Sequence, residues 1–238
     1  MSHRAKIIAT LGPASEDKKT IRSLLTAGMD VARINFSHGD HEGHAQVIQN
    51  LRESAQELNR PITILQDLSG PKIRTGKIKS GSINLVDGNK FILTSDDVEG
   101  SEEIISINYP DLALSAKVGG RILLDDGKLE LLVKEIKGSQ VVTEIIQGGI
   151  LKPRKGVNLP GADLTIRALT EKDLADLKFG MAHDIDVLAL SFVRSAEDIN
   201  RLQQEIININ PDQKNLPIIA KLEHPDAIKN LHEIIHAA

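Results

Sequence analysis

The sequence predicts an α/β protein of barrel type, a parallel sheet whose strands alternate with helices, interrupted after the third strand by an all-β segment. Three observations carry this. Short apolar runs alternate with amphipathic stretches as far as Gln66, helical periodicity then disappears from about Lys77 to Thr165, and the strand-helix alternation resumes after Leu169. Strands joined through helices must run parallel, because a parallel pair needs a long crossover with a preferred right hand.

The elements follow in order. Lys6 to Ala9 is a short strand followed by the turn Thr10-Leu-Gly-Pro13, and Ser15 is the expected cap of a helix over Glu16 to Ala27 that ends at Gly28. Val31 to Ile34 is the second strand. His41 to Leu58 carries Ala45, Ile48, Leu51, Ala55 and Leu58 at helical spacing, and Ile62 to Gln66 is the third strand. The inserted segment reads as short strands over 82–86, 90–94, 104–107, 121–124, 129–136 and 140–146, without a helix and separated by Asp87-Gly88, Glu99-Gly100, Asp126-Gly127 and Lys137-Gly138. After it, Thr170 and Asp173 mark a capped helix start, 186–190 is a strand, and 195–208 is a helix. The fifth strand is 217–220, and Pro225 opens a last helix through Ile235. The expected division is 1–70 and 169–238 for the barrel-type part and 71–168 for the insertion, with Gly70-Pro71 and Pro160-Gly161 as its hinges.

Composition narrows the function. With 238 residues and 40% hydrophobic residues the chain can fill a sizeable core, but aromatics are 2%, leaving few platforms for nucleobases. A net charge of -4 supplies no basic field for nucleic acid or a membrane surface. Without cysteine there is neither disulfide nor thiolate site, and without a long apolar run or signal-peptide core the expectation is a cytoplasmic protein.

The chemistry gathers around Ile64 to Gly76. An apolar strand ends in Asp67, breaks at Gly70-Pro71, and brings Lys72 and Arg74 close behind. Ligands bind at the C-terminal ends of parallel strands, so this pattern reads as a place for metal and anion together. Arg33, Asn35, Ser37 and His38 likewise lie near the C-terminal end of the second strand. Lys221 and Glu223 follow the fifth, two apart and so on one side of an extended chain, although a surface ion pair is the plain alternative. Asn35 and Ser37 equally suit a turn and a helix cap, and Lys152-Pro-Arg-Lys155 equally suits a solvated charged turn.

Six segments then carry a resemblance. Val31-Ala-Arg-Ile-Asn-Phe-Ser-His38, Gln66-Asp-Leu-Ser-Gly-Pro-Lys-Ile-Arg-Thr-Gly76, Leu123-Leu-Asp-Asp-Gly127, Lys155-Gly-Val-Asn-Leu-Pro-Gly161, Ser191-Phe-Val-Arg194 and Ala220-Lys-Leu-Glu223 occur in this order in pyruvate kinases, which the whole chain resembles. The resemblance implies a TIM-type barrel, here five of its eight strands, with the β insertion as a lid domain. It also implies the glycolytic transfer of a phosphoryl group from phosphoenolpyruvate to ADP, giving pyruvate and ATP.

Residue by residue, it implies that Lys221 stabilises the phosphoryl in flight, that Arg33 binds substrate phosphate, and that Glu223 holds the divalent metal, Mg²⁺ or Mn²⁺. Asn35, Ser37, Asp67 and the main-chain carbonyl of Leu68 match the monovalent-cation site. Asn35, His38, Arg74 and Lys155 fall where the family meets the nucleotide, Lys155 from the lid.

Two departures qualify this. Many members have Asp-Thr-Lys-Gly-Pro-Glu where this chain has Asp67-Leu-Ser-Gly-Pro-Lys72, and the lysine ammonium can stand in for potassium, so K⁺ independence is expected. The segment with the second metal carboxylate lies beyond Ala238, so the isolated chain is expected to be weakly active or inactive, and to act as a homo-oligomer or with a complementing chain. A non-catalytic phosphate- or metal-binding or regulatory module is the alternative, and an enolate lyase on a similar barrel is a weaker one.

Overall fold

The computed structural model describes residues 5–162 and 168–238. The chain divides into two compact units, Met1–Pro71 with Arg167–Ala238, and Lys72–Ile166. The expected return from insertion to barrel crosses residues 163–167, which lie outside the described residues.

The first unit opens with β1 (Ile8–Leu11), α1 (Lys18–Ala27), β2 (Val31–Asn35), α2 (His41–Glu57) and β3 (Thr63–Asp67). The cap of α1 is Asp17 rather than Ser15. Its carboxylate accepts from the Thr20 N–H, while Ser15 closes the preceding turn by donating its own N–H to the Gly12 carbonyl at 2.7 Å. Two good capping residues stood two apart, and the turn took the first. Gly28 ends the helix at φ 115°, where a side chain would be strained. Asp40 caps α2 by accepting from the Gly43 N–H, so Ser37 is no cap.

The second unit contains β4 (Ile83–Leu85), β5 (Lys90–Thr94), β6 (Ile104–Ser106), the single-turn helix α3 (Leu112–Ser115), β7 (Arg121–Leu124), β8 (Leu129–Lys137), β9 (Gln140–Gln147), β10 (Gly149–Leu151) and β11 (Val157–Asn158). A six-stranded sheet runs β11-β7-β8-β9-β5-β6, and β10 pairs with β4. Its core is aliphatic around Phe91, Leu93, Ile105, Leu124, Leu131 and Val141. The helix α3 corrects the expectation of none, since one turn is too short to leave a periodic signal. Asp125, Asp126 and Gly127 all have positive φ and form the β7–β8 turn. Glu99-Gly100 makes no hairpin, as Gly100 instead bridges Ile78 in parallel.

The first unit resumes with α4 (Glu171–Ala182), β12 (Val187–Leu190), α5 (Ala196–Ile209), the 3-10 turn Pro211–Gln213, β13 (Ile218–Ala220), α6 (Pro225–Lys229) and α7 (Leu231–Ala237). Thr170 with Asp173 and Ser195 with Asp198 form capping boxes on α4 and α5. The single helix expected after Pro225 is two pieces, broken at Asn230, whose Nδ2 donates to the Arg194 carbonyl at 2.9 Å. All pairings within the sheet β1-β2-β3-β12-β13 are parallel, and with its helices it is a partial α/β barrel. Ile64, Leu188 and Leu190 are buried in one cluster with Leu51, Leu177 and Leu202. No described helix is long and apolar enough to cross a membrane.

Candidate active site

Register brings the site together. Asn35 lies opposite Asp67, Asp67 opposite Ala189, and Leu190 opposite Ala220, so the C-terminal ends of β2, β3, β12 and β13 form one edge. The residues just past those ends, Ser191 and Lys221 to Glu223, join Arg33 and Asp67 there.

Asp67 is the centre. Its residue is 2% exposed, yet it accepts from Arg33 Nε at 2.8 Å, from Arg33 Nη2, and from Lys221 Nζ at 3.2 and 3.4 Å. A buried carboxylate is tolerated only when paired and hydrogen-bonded, and two cations, one on β2 and one just past β13, meet that demand. Arg33 Nη1 also donates to Thr10 Oγ1 at 2.7 Å, fixing the plane of the guanidinium from β1. Lys221 Nζ donates to Ser191 Oγ at 2.8 Å and lies 3.3 Å from Glu223 Oε1. The other Glu223 oxygen accepts from the Phe192 N–H at 3.1 Å. This quartet of Arg33, Asp67, Lys221 and Glu223 presents two hydrogen-bond-rich cations beside one solvent-reachable carboxylate, an arrangement suited to an anion held against a hard metal cation.

Over residues 2–238 the sequence matches the barrel-domain family of pyruvate kinase. The chain belongs to the pyruvate kinase family. It is 43% identical to the pyruvate kinase of Geobacillus stearothermophilus, covering 100% of this chain and 40% of that protein, and 44% identical to that of Thermococcus litoralis, covering 100% and 49%. It is 46% identical to pyruvate kinase 2 of a Synechocystis strain, covering 99% and 40%. The chain thus spans about two-fifths to half the length of these pyruvate kinases.

The other residues expected from the pyruvate kinase resemblance fall into two groups. In the first unit, Asn35 Oδ1 accepts from the Ser37 N–H at 3.0 Å, the Leu68 carbonyl accepts from Ser191 Oγ at 2.7 Å, and His38 is exposed with its N–H on the Asn35 carbonyl. In the second unit, Arg74 and Lys155 are neighbours although 81 positions separate them in sequence. Arg74 bridges Gly156, the Thr75 N–H donates to the Lys155 carbonyl, and the Lys155 N–H donates to Thr75 Oγ1, both at 2.9 Å. Lys155 Nζ lies 2.8 Å from Asp125 Oδ1, and this hydrogen bond holds the Asp125 carboxyl below its ordinary pKa against the opposing effect of burial. Lys152 and Arg154 beside it are exposed, so only Lys155 of that charged run departs from a solvated turn. Lys72 belongs to the second unit, where its main-chain carbonyl accepts from Asn108 Nδ2 at 3.0 Å.

Sequence reasoning missed Ser191 and Thr10. Ser191 stood inside a quoted motif directly after an apolar strand, and that position was the signal. Among the described residues no group of three or more His, Cys, Asp or Glu side chains is set to enclose a metal.

Proposed function

We propose that this chain supplies the phosphoryl-handling part of the pyruvate kinase site, which acts on phosphoenolpyruvate and ADP to give pyruvate and ATP. The observation that carries this reading is the Arg33–Asp67–Lys221–Glu223 quartet at the strand ends. Phosphoryl transfer asks the protein mainly for positioning and positive charge. Arg33 keeps N–H groups beyond those spent on Asp67 and Thr10, and offers them in a plane that fits phosphate oxygens. Lys221 carries its charge on a flexible stem, tethered to Asp67 and Ser191 and 28% exposed, so it can follow the transferring group. Glu223 is 39% exposed and offers hard oxygen donors suited to Mg²⁺ or Mn²⁺, which when bound polarises the phosphoryl and enolate oxygens. On the second unit, Arg74 and Lys155 are the nucleotide-side cations of this reading, with Asn35 and His38 on the first.

Potassium is not required in this reading. Lys72 carries fixed positive charge in the segment that holds an acid in many relatives, and the oxygens of Asn35, Asp67 and Leu68 already accept hydrogen bonds within the protein. Replacing potassium by a large organic cation should change activity less than twofold, and a large activation by potassium would overturn that part.

The decisive experiment is calorimetric titration of phosphoenolpyruvate with Mn²⁺ present, alongside a coupled lactate dehydrogenase assay. Binding lost in Lys221→Met and Arg33→Met is the expected result. Absence of both binding and turnover in the unmodified chain refutes the reading, and binding without turnover assigns it a phosphate- and metal-binding role.

A further inference from the structure

The turn between β12 and α5 holds a bulky residue in a backbone conformation that it seldom adopts. Phe192 has φ 56°, a left-handed conformation that is unusual for a bulky side chain and persists only when its surroundings over-determine it. Gly70, itself at φ 64°, packs against this turn so closely that a Cβ on it would lie 2.9 Å from Ser191 Cβ and 3.1 Å from Phe192 Cδ2. Two successive polar groups leave the strained turn toward the same pair of side chains. Ser191 Oγ, in a residue 3% exposed, donates to the Leu68 carbonyl at 2.7 Å and accepts from Lys221 Nζ at 2.8 Å. The next N–H, that of Phe192, donates to Glu223 Oε2 at 3.1 Å.

We propose that the Ser191-Phe192 turn is the positioning element of the reactive pair, with Ser191 aiming the Lys221 ammonium and the Phe192 N–H aiming the Glu223 carboxylate. This rests on the reading of Lys221 and Glu223 as the phosphoryl-binding and metal-binding groups. Donation to Leu68 fixes the hydroxyl rotor, so a lone pair faces Lys221 rather than turning away. Beside the carboxylates of Asp67 and Glu223, a neutral acceptor holds the ammonium without adding a third negative charge against it. The carboxylates lie farther from Lys221 Nζ, Asp67 at 3.2 and 3.4 Å and Glu223 at 3.3 Å, so the serine at 2.8 Å is the tightest of the three tethers. The left-handed residue lets the chain deliver hydroxyl and N–H in succession and still turn into α5.

The test is Ser191→Ala, read first without any turnover. Acetylation of Lys221 by dilute acetic anhydride, followed by peptide mass spectrometry, should run several-fold faster in the variant, while acetylation of Lys172 on α4 stays as in the unmodified chain. Where turnover is measured, kcat should fall roughly tenfold or more, because a small misplacement of a reacting group is costly, with KM for phosphoenolpyruvate within about twofold. Mn²⁺ affinity, read by electron paramagnetic resonance, should be unchanged because the Phe192 N–H is retained. An unaltered Lys221 acetylation rate overturns the proposal, as does an equal change at Lys172 or a parallel loss of Mn²⁺ binding, either of which marks general loosening. A chain that neither binds phosphoenolpyruvate nor turns over, yet shows the specific acetylation change, refutes the phosphotransfer reading and leaves the tether in place.

Discussion

Asp67→Asn tests the electrostatic centre of the site directly. The amide keeps the shape and one acceptor but removes the charge that Arg33 and Lys221 share in a residue 2% exposed. Hydrogen bonds to a charged partner contribute about 1.5–3 kcal/mol each, and breaking a fully buried pair costs about 3–5 kcal/mol. Here the arginine and lysine side chains are 29% and 28% exposed, so water recovers part of the loss as they turn outward. The expected cost is therefore about 3 kcal/mol, which corresponds to a fall in Tm of roughly 6–12 °C for a chain of this size. Urea unfolding followed by circular dichroism measures it. Combining Asp67→Asn with Lys221→Met should cost at least about 1 kcal/mol less than the two changes summed, since the second removes a cation that the first left unpaired. An Asp67→Asn variant within about 0.5 kcal/mol of the unmodified chain would show that solvent, not Asp67, compensates the two cations.

Two further predictions concern the surroundings of the site. Gly180→Ala places a methyl against the side-chain carbonyl of Gln66, a residue whose Nε2 is committed to the Asp176 carbonyl at 2.7 Å. Overpacking costs about 1–3 kcal/mol and outweighs the helix-propensity gain of about 1 kcal/mol, and adding Gln66→Ala should recover the loss in the same urea titration. If the double variant is no more stable than Gly180→Ala, the contact is not the cause. His44 has its pKa depressed chiefly by burial beside Phe36, whose ring is 4.2 Å away, with the His38 backbone hydrogen bond opposing. The neutral form is thus favoured in the folded state, and its contribution is complete above the unfolded pKa near 6.5 and lost as pH falls through the folded value. Unfolding midpoints should drop between pH 7.5 and 5.5, less steeply in His44→Phe. Equal slopes would remove His44 from the explanation, leaving His224, which is shifted the same way by burial.

The sheet was legible because its buried parallel strands are short apolar runs, most of them with a helix-length amphipathic stretch after them, as at Asp186 to Leu190. What escaped depends on partners far along the chain. The strands Gly149–Leu151 and Val157–Asn158 are three and two residues long and exist only through pairing with Ile83–Leu85 and Arg121–Leu124. The break at Asn230 is likewise decided by a carbonyl 36 positions away, at Arg194. At the site, residue types and strand ends were readable, but not that Asp67 would join a cation 34 residues before it to another 154 after it. The Asp67 carboxylate was expected at a monovalent-cation site, and nothing in the sequence marked Arg33 and Lys221 as its hydrogen-bond donors.

The charges of the quartet cancel, two positive against two negative, and this has a consequence for the order of events. By itself the quartet carries no net charge, so these four groups add little long-range attraction for a multiply charged anion. The one exposed acid, Glu223, is also the partner that Lys221 holds least closely, at 3.3 Å against 2.8 Å for Ser191. A divalent cation arriving at Glu223 would turn the local balance positive and release the ammonium from that carboxylate, leaving it on Ser191 and Asp67. On the proposed reading the cation would therefore come first and the phosphate second, since a phosphate arriving alone would face an ion pair already closed.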